Sequence, residues 1–173
     1  MWLCTQHRTA RPRLEARRHV RHLGCALLLT MALAPAAWAH GSSQGDLRVE
    51  HSYATPGSTE AVVYFRCIRN EGDKPDRLLG GHTAVAVSVE MQRMVQQTGN
   101  RTPVVVAAIE LPARTMTPMR HNKGEYRLLL KGLKPPLQDG DRFDLHLNFE
   151  RAGALLVQVW VQTAPTAGQD PLH

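Results

Sequence analysis

The chain has 173 residues, 43% of them hydrophobic, 5% aromatic and 21% charged, a globular composition suited to one ordinary domain and inconsistent with wholesale disorder. Its formal charge of +6 is concentrated at the N-terminus, where Arg8, Arg11, Arg13, Arg17, Arg18 and Arg21 stand against Glu15 alone. The rest of the chain is close to neutral, which leaves no electrostatic footprint for nucleic acid.

The arginine-rich stretch precedes an apolar run from Leu23 to Ala39, and Ala37-Trp38-Ala39 places small residues where a signal peptidase reads. Residues 1–39 are therefore expected to be a cleaved secretion signal that delivers the remainder to the periplasm. Pro35 interrupts the run, which is short for a bilayer span, so no stable membrane segment is expected after cleavage. Cys25 is badly placed for lipid attachment, because the apolar run follows it. Cleavage removes Cys4 and Cys25 and leaves Cys67 alone, so no intramolecular disulfide is available and a buried thiol is expected.

From Gly45 onward the hydrophobic period is two. Leu47, Val49, His51 and Tyr53 are predicted to share one face of a strand, and Val63, Phe65 and Cys67 one face of the next. Val85, Val87, Val89 and Met91 form a third set. Further strands are predicted over Val104 to Leu111, Glu125 to Gly132 and Ala154 to Gln162. Phe143, Leu145, Leu147 and Phe149 alternate most cleanly, with Asp144, His146 and Asn148 opposite. Turn chemistry separates the segments at Pro56-Gly57, Glu71-Gly72-Asp73, Gly80-Gly81, Gly99-Asn100, Pro135-Pro136 and Asp139-Gly140. No segment sustains a helical stripe. Seven to nine short strands without helices predict one all-β antiparallel sandwich or barrel over residues 40–163, followed by a flexible tail at 164–173.

Catalytic motifs are missing: there is no phosphate-binding glycine loop, Cys-x-x-Cys, His-Glu-x-x-His or Gly-x-Ser-x-Gly, and no enzymatic activity is expected. The methionines are more informative. Beyond the signal they fall in two clusters, Met91 with Met94 and Met116 with Met119, the second followed by His121. Thioethers are soft ligands with no proton to lose, which suits Cu(I). Methionines also fill core gaps. Met91 continues the inward valine face and reads as core, Met94 lies opposite with Gln92, and Met119 fits either role. His51 reads as a satisfied core histidine and His146 as a solvated strand residue; His51, His82 and His146 show no ligand spacing.

Five segments resemble the periplasmic PCu(A)C copper-chaperone family: GDLRVEHSYATPG, AVVYFRCIRNEGDKPDRLLGG, VEMQRM, AIELPA and YRLLLKGLKPPLQDGD, in the family's order. The resemblance implies a cupredoxin-like Greek-key barrel and capture of Cu(I) for delivery to a partner such as a respiratory-oxidase assembly protein or another periplasmic metalloprotein. It also implies a ligand set of two histidines and two methionines. Carried over position by position, those ligands fall on Gln92, Pro103, Arg127 and Leu129, none of which suits Cu(I), and Arg127 brings a cation to the site.

Three readings follow. Copper is held at a relocated site built from Met94, Met116 or Met119, and His121. Alternatively the chain is a metal-free interaction module on the chaperone fold. In the third, His40 becomes the N-terminus after cleavage and offers its α-amino nitrogen and imidazole together, a set better suited to Cu(II) than to Cu(I).

Overall fold

The computed structural model describes residues 41–163 except 98 and 122. The expected signal, His40 and the tail at 164–173 lie outside the described residues. Among the described residues eleven strands follow one another: β1 (Gly41–Gln44), β2 (Leu47–Ala54), β3 (Glu60–Asn70), β4 (Asp76–His82), β5 (Ala86–Gln97), β6 (Asn100–Val105), β7 (Ile109–Leu111), β8 (Thr115–Met119), β9 (Tyr126–Leu133), β10 (Arg142–Phe149) and β11 (Gly153–Val161). No helix occurs among the described residues, so none is long and apolar enough to cross a membrane.

The strands join in one sheet of order β6-β5-β9-β3-β2-β11-β10-β4-β7, with β1 added beside β2 and β8 beside β3. Among the described residues all pairings are antiparallel except a short parallel contact of β11 with β2, through Trp160 with Tyr53 and Val161 with Ala54. The strands pack around an apolar core to which most of them contribute inward-facing residues. On β10, Phe143, Leu145, Leu147 and Phe149 face inward; on β11, Leu155, Val157, Val159 and Val161 do. Removing such a side chain from water stabilises the fold by roughly 1.5–3 kcal/mol.

Two buried polar residues tie the turns to this core without leaving donors or acceptors idle. Asp76 accepts hydrogen bonds from the backbone N–H of Arg77, Arg151 and Ala152 at 2.7, 2.9 and 2.9 Å, which pins the β10–β11 hairpin to β4. Asn70 donates to the carbonyls of Lys74 and Leu111 and accepts from Gly72 N–H.

Several expectations require correction. Leu47 and Val49 are in the core, but His51 has φ of 48°, and beyond it the inward parity of β2 changes from odd to even, so that Ala54 is core. Tyr53 is buried on the opposite face, outside that core, and stacks on Tyr64. The same break on β3 puts Ile68 inward where alternation from Phe65 assigns Cys67, and a β-bulge against β8 falls between Phe65 and Ile68. Cys67 is fully buried, but beside Glu50 on the other face. Val87 is 72% exposed, unlike Val85, Val89 and Met91, and lies over Gly132, which has a φ of 67° within β9. The predicted strand from Val104 to Leu111 is split into β6 and β7, and β1, β4 and β8 have no counterpart among the predicted strands.

Candidate metal centre

Residues of β5 and β9 alternate between the core and the opposite face. Met91 and Leu128 point inward, so their neighbours Gln92 and Arg127 meet on the outer side as register partners. Tyr64, one residue beyond the Val63–Leu128 pair of β3 and β9, continues this row, and Tyr53 on β2 extends it. Leu129 lies two residues from Arg127 on the same face, opposite Glu90 and Val62. Pro103 sits on β6 opposite Met94, two residues from Gln92. The register therefore gathers Gln92, Pro103, Arg127 and Leu129 on one face.

The row is bonded to itself. The Arg127 Nε donates to Gln92 Oε1 at 2.8 Å, Gln92 Nε2 donates to Glu90 Oε1 at 2.7 Å, and Lys131 Nζ donates to Glu90 Oε2 at 3.0 Å. Gln92 is buried within it. The hydrogen bond from Gln92, and after it that from Lys131, holds the Glu90 carboxyl below its ordinary pKa. Lys131 is raised by its hydrogen bond to Glu90. Burial raises the Tyr64 pKa, and the nearby Arg127 guanidinium, through its charge and hydrogen-bonding capacity, opposes that rise. Soft donors are absent from these four positions, the polar atoms are engaged with one another, and a guanidinium stands among them. The residues present do not fit Cu(I) here.

The methionine candidates are dispersed. Met119 pairs with Phe65 and is fully buried in the core. Met116, three residues earlier on β8, is 53% exposed and lines an open cleft with Glu110, Glu125 and Tyr126. Met94 is half-buried on β5, on the Gln92 face. His121 lies in the turn between β8 and β9, with its ring edge-on to Tyr64 at 5.0 Å between centroids and 81° between planes. Met94 lies on the Gln92 face and His121 packs against Tyr64 of the same row. No group of three or more His, Cys, Asp or Glu that could hold a metal ion occurs among the described residues.

Two histidines are placed differently from expectation. His51, expected to be a satisfied core residue, is only half-buried, and its Nδ1 is enclosed with no hydrogen-bond partner among the described residues. It follows Glu50 on β2, and Glu50 is the register partner of Gly41. His146, read as a solitary solvated residue, is half-buried and stacks on His82 across β10 and β4.

An all-β domain with these strands, carrying this face where copper ligands are expected, is of the copper-chaperone type. The chain belongs to the LpqE-like family, described as "Putative lipoprotein LpqE-like", whose model matches residues 46–161. It is similar in structure to the copper-bound PCuAC domain from PmoF2, with a TM-score of 0.59 and 25% identity over 72% of this chain and 98% of that one. The apo PCuAC domain from PmoF2 gives the same TM-score and identity over 73% of this chain and 98% of that one. The apo PCuAC domain from PmoF1 matches in fold at a TM-score of 0.58 and 24% identity, over 72% of this chain and 99% of that one. No curated protein matches the chain in sequence.

Proposed function

We propose that the chain is an exported, periplasmic copper-binding protein of the chaperone fold that holds its cargo at the mature N-terminus instead of the buried His/Met position. His40, freed by cleavage after Ala39, supplies an amine and an imidazole, and His51 supplies a third nitrogen. The observation that carries this reading is the buried Nδ1 of His51, which has no hydrogen-bond partner among the described residues, on the residue next to the register partner of Gly41. An enclosed imidazole nitrogen left unbonded is costly, and a metal ion relieves that cost. Three nitrogens, two of them from one residue, suit the tetragonal preference of Cu(II). The similar PCuAC domain from PmoF2 is a copper-bound one, which is consistent with copper as the cargo. Delivery to another periplasmic metalloprotein, such as a respiratory-oxidase assembly factor, is the role this reading assigns.

The bonded row of Gln92 and Arg127 favours a second reading, in which the fold serves only to bind another protein. Titration of the exported protein with Cu(II), followed by electron paramagnetic resonance, separates the two. One equivalent with nitrogen hyperfine structure, lost in His51→Ala and in a chain extended by one residue ahead of His40, is the expected result. Binding indifferent to both changes, or no binding, would overturn the proposed site.

A further inference from the structure

His82 ends β4 and His146 lies in the middle of β10, and the two are register partners on antiparallel strands. Their rings are parallel to within 2°, with centroids 4.6 Å apart. Two features hold them this close. A Cβ at Gly81 would stand 2.6 Å from the carbonyl oxygen of His146, so only glycine lets β4 approach β10 beside the pair. Thr83 then fastens the end of β4 by donating from Oγ1 to the Asp144 carbonyl at 2.7 Å. Neither imidazole takes part in a hydrogen bond or ion pair among the described residues, so the ring nitrogens are not spoken for within the fold.

We propose that His82 and His146 form a two-imidazole site for a borderline divalent transition-metal ion, chelated across the two strands. Neutral imidazole is a good ligand for such ions, and metal–nitrogen bonds of about 2.0–2.1 Å put two nitrogens on one ion about 4 Å apart or less. Each imidazole binds an ion in its own ring plane, so the two side chains turn out of the stack, whose centroids are 4.6 Å apart, to aim one nitrogen from each at a common ion. His82 is exposed and His146 half-buried, so the remaining coordination positions face outward and are open to water or to a ligand from a docked partner. This proposal goes beyond the function proposed above, because neither His40 nor His51 takes part in it.

Zn(II) alone, added to the exported protein, is the probe, with the imidazole resonances of each histidine followed by NMR and the affinity by calorimetry. The His82 and His146 signals are expected to move together and saturate at one equivalent. His82→Ala and His146→Ala should each weaken that event by roughly tenfold or more, since each removes one arm of a two-point attachment. His51→Ala should leave it unchanged, so failure at one site is not mistaken for failure at the other. If the two signals stay still to millimolar Zn(II), or titrate with different affinities, or either single variant binds as the parent does, the proposal is wrong. The NMR readout on the unaltered protein stands even if a variant folds poorly.

Discussion

Replacing Arg127 and Gln92 with leucine, singly and together, tests whether the outer row is a closed unit. In Arg127→Leu the Oε1 of Gln92 loses its donor while the residue is only 6% exposed. An acceptor stranded in that position costs about 1–3 kcal/mol. In Gln92→Leu the guanidinium loses a charge-assisted hydrogen bond, a class that contributes about 1.5–3 kcal/mol. The double variant leaves neither group stranded at that bond. Its destabilisation should therefore fall short of the sum of the singles by about 1–3 kcal/mol. Urea unfolding measures this, with an unchanged slope confirming that the shift in midpoint reports stability. An ultraviolet titration of tyrosine adds a second readout. Arg127 opposes the burial-driven rise of the Tyr64 pKa, so Arg127→Leu should move that pKa further upward. Strict additivity of the two single costs, with no movement of the Tyr64 titration, would refute the account of this face.

Two further outcomes follow from burial. Burial, and secondarily the charge and hydrogen bond of Glu50, pushes the Cys67 thiol up to about 11 from 9.0, so iodoacetamide at pH 8 should leave the native protein unlabelled and modify the urea-unfolded chain rapidly. The native state keeps this proton where the unfolded chain has lost it, so the contribution to stability is complete below about pH 9 and fades as the pH rises toward about 11; a Cys67→Ala variant should show a flatter decline over that window. For the methionines, Met119→Ala should cost about 2–5 kcal/mol because it opens a cavity beside Phe65, Met119→Leu less than about 1.5 kcal/mol, and exposed Met116→Ala within about 0.5 kcal/mol. Thermal or urea melts check the order, and a Met119→Leu protein that loses copper would contradict the core assignment.

The strands most legible in the sequence are those whose alternation is uninterrupted. Phe143 to Phe149 runs its full length without a break, and β10 matches it. Alternation fails where one backbone conformation shifts the phase. His51, in left-handed geometry, reverses the faces of everything after it on β2, and nothing in the letters Val-Glu-His-Ser-Tyr announces a positive φ at a residue other than glycine. The β3 partner must follow, so Cys67 leaves the core line for the Glu50 side. Burial of that thiol could be argued from the redox compartment, but its neighbours depend on the phase shift.

Histidine placement fails for a related reason. Gly80-Gly81 reads as a turn, because paired glycines usually end a strand. Here β4 continues through both to His82, and the glycines serve close approach between strands. Once β4 is lost from the reading, His82 has no register and its meeting with His146 cannot be inferred, however the spacing along the chain is inspected. The converse holds for Gln92 and Arg127. Their positions could be carried over from a resemblance, and the sheet does bring them together, but what they do there depends on chemistry. A glutamine and an arginine facing one another satisfy each other, whereas two histidines that face one another, like His82 and His146, retain free nitrogens to offer an ion. Pairing geometry that closes a site for one set of side chains opens it for another, so on this fold the search for metal ligands has to follow strand register before family position.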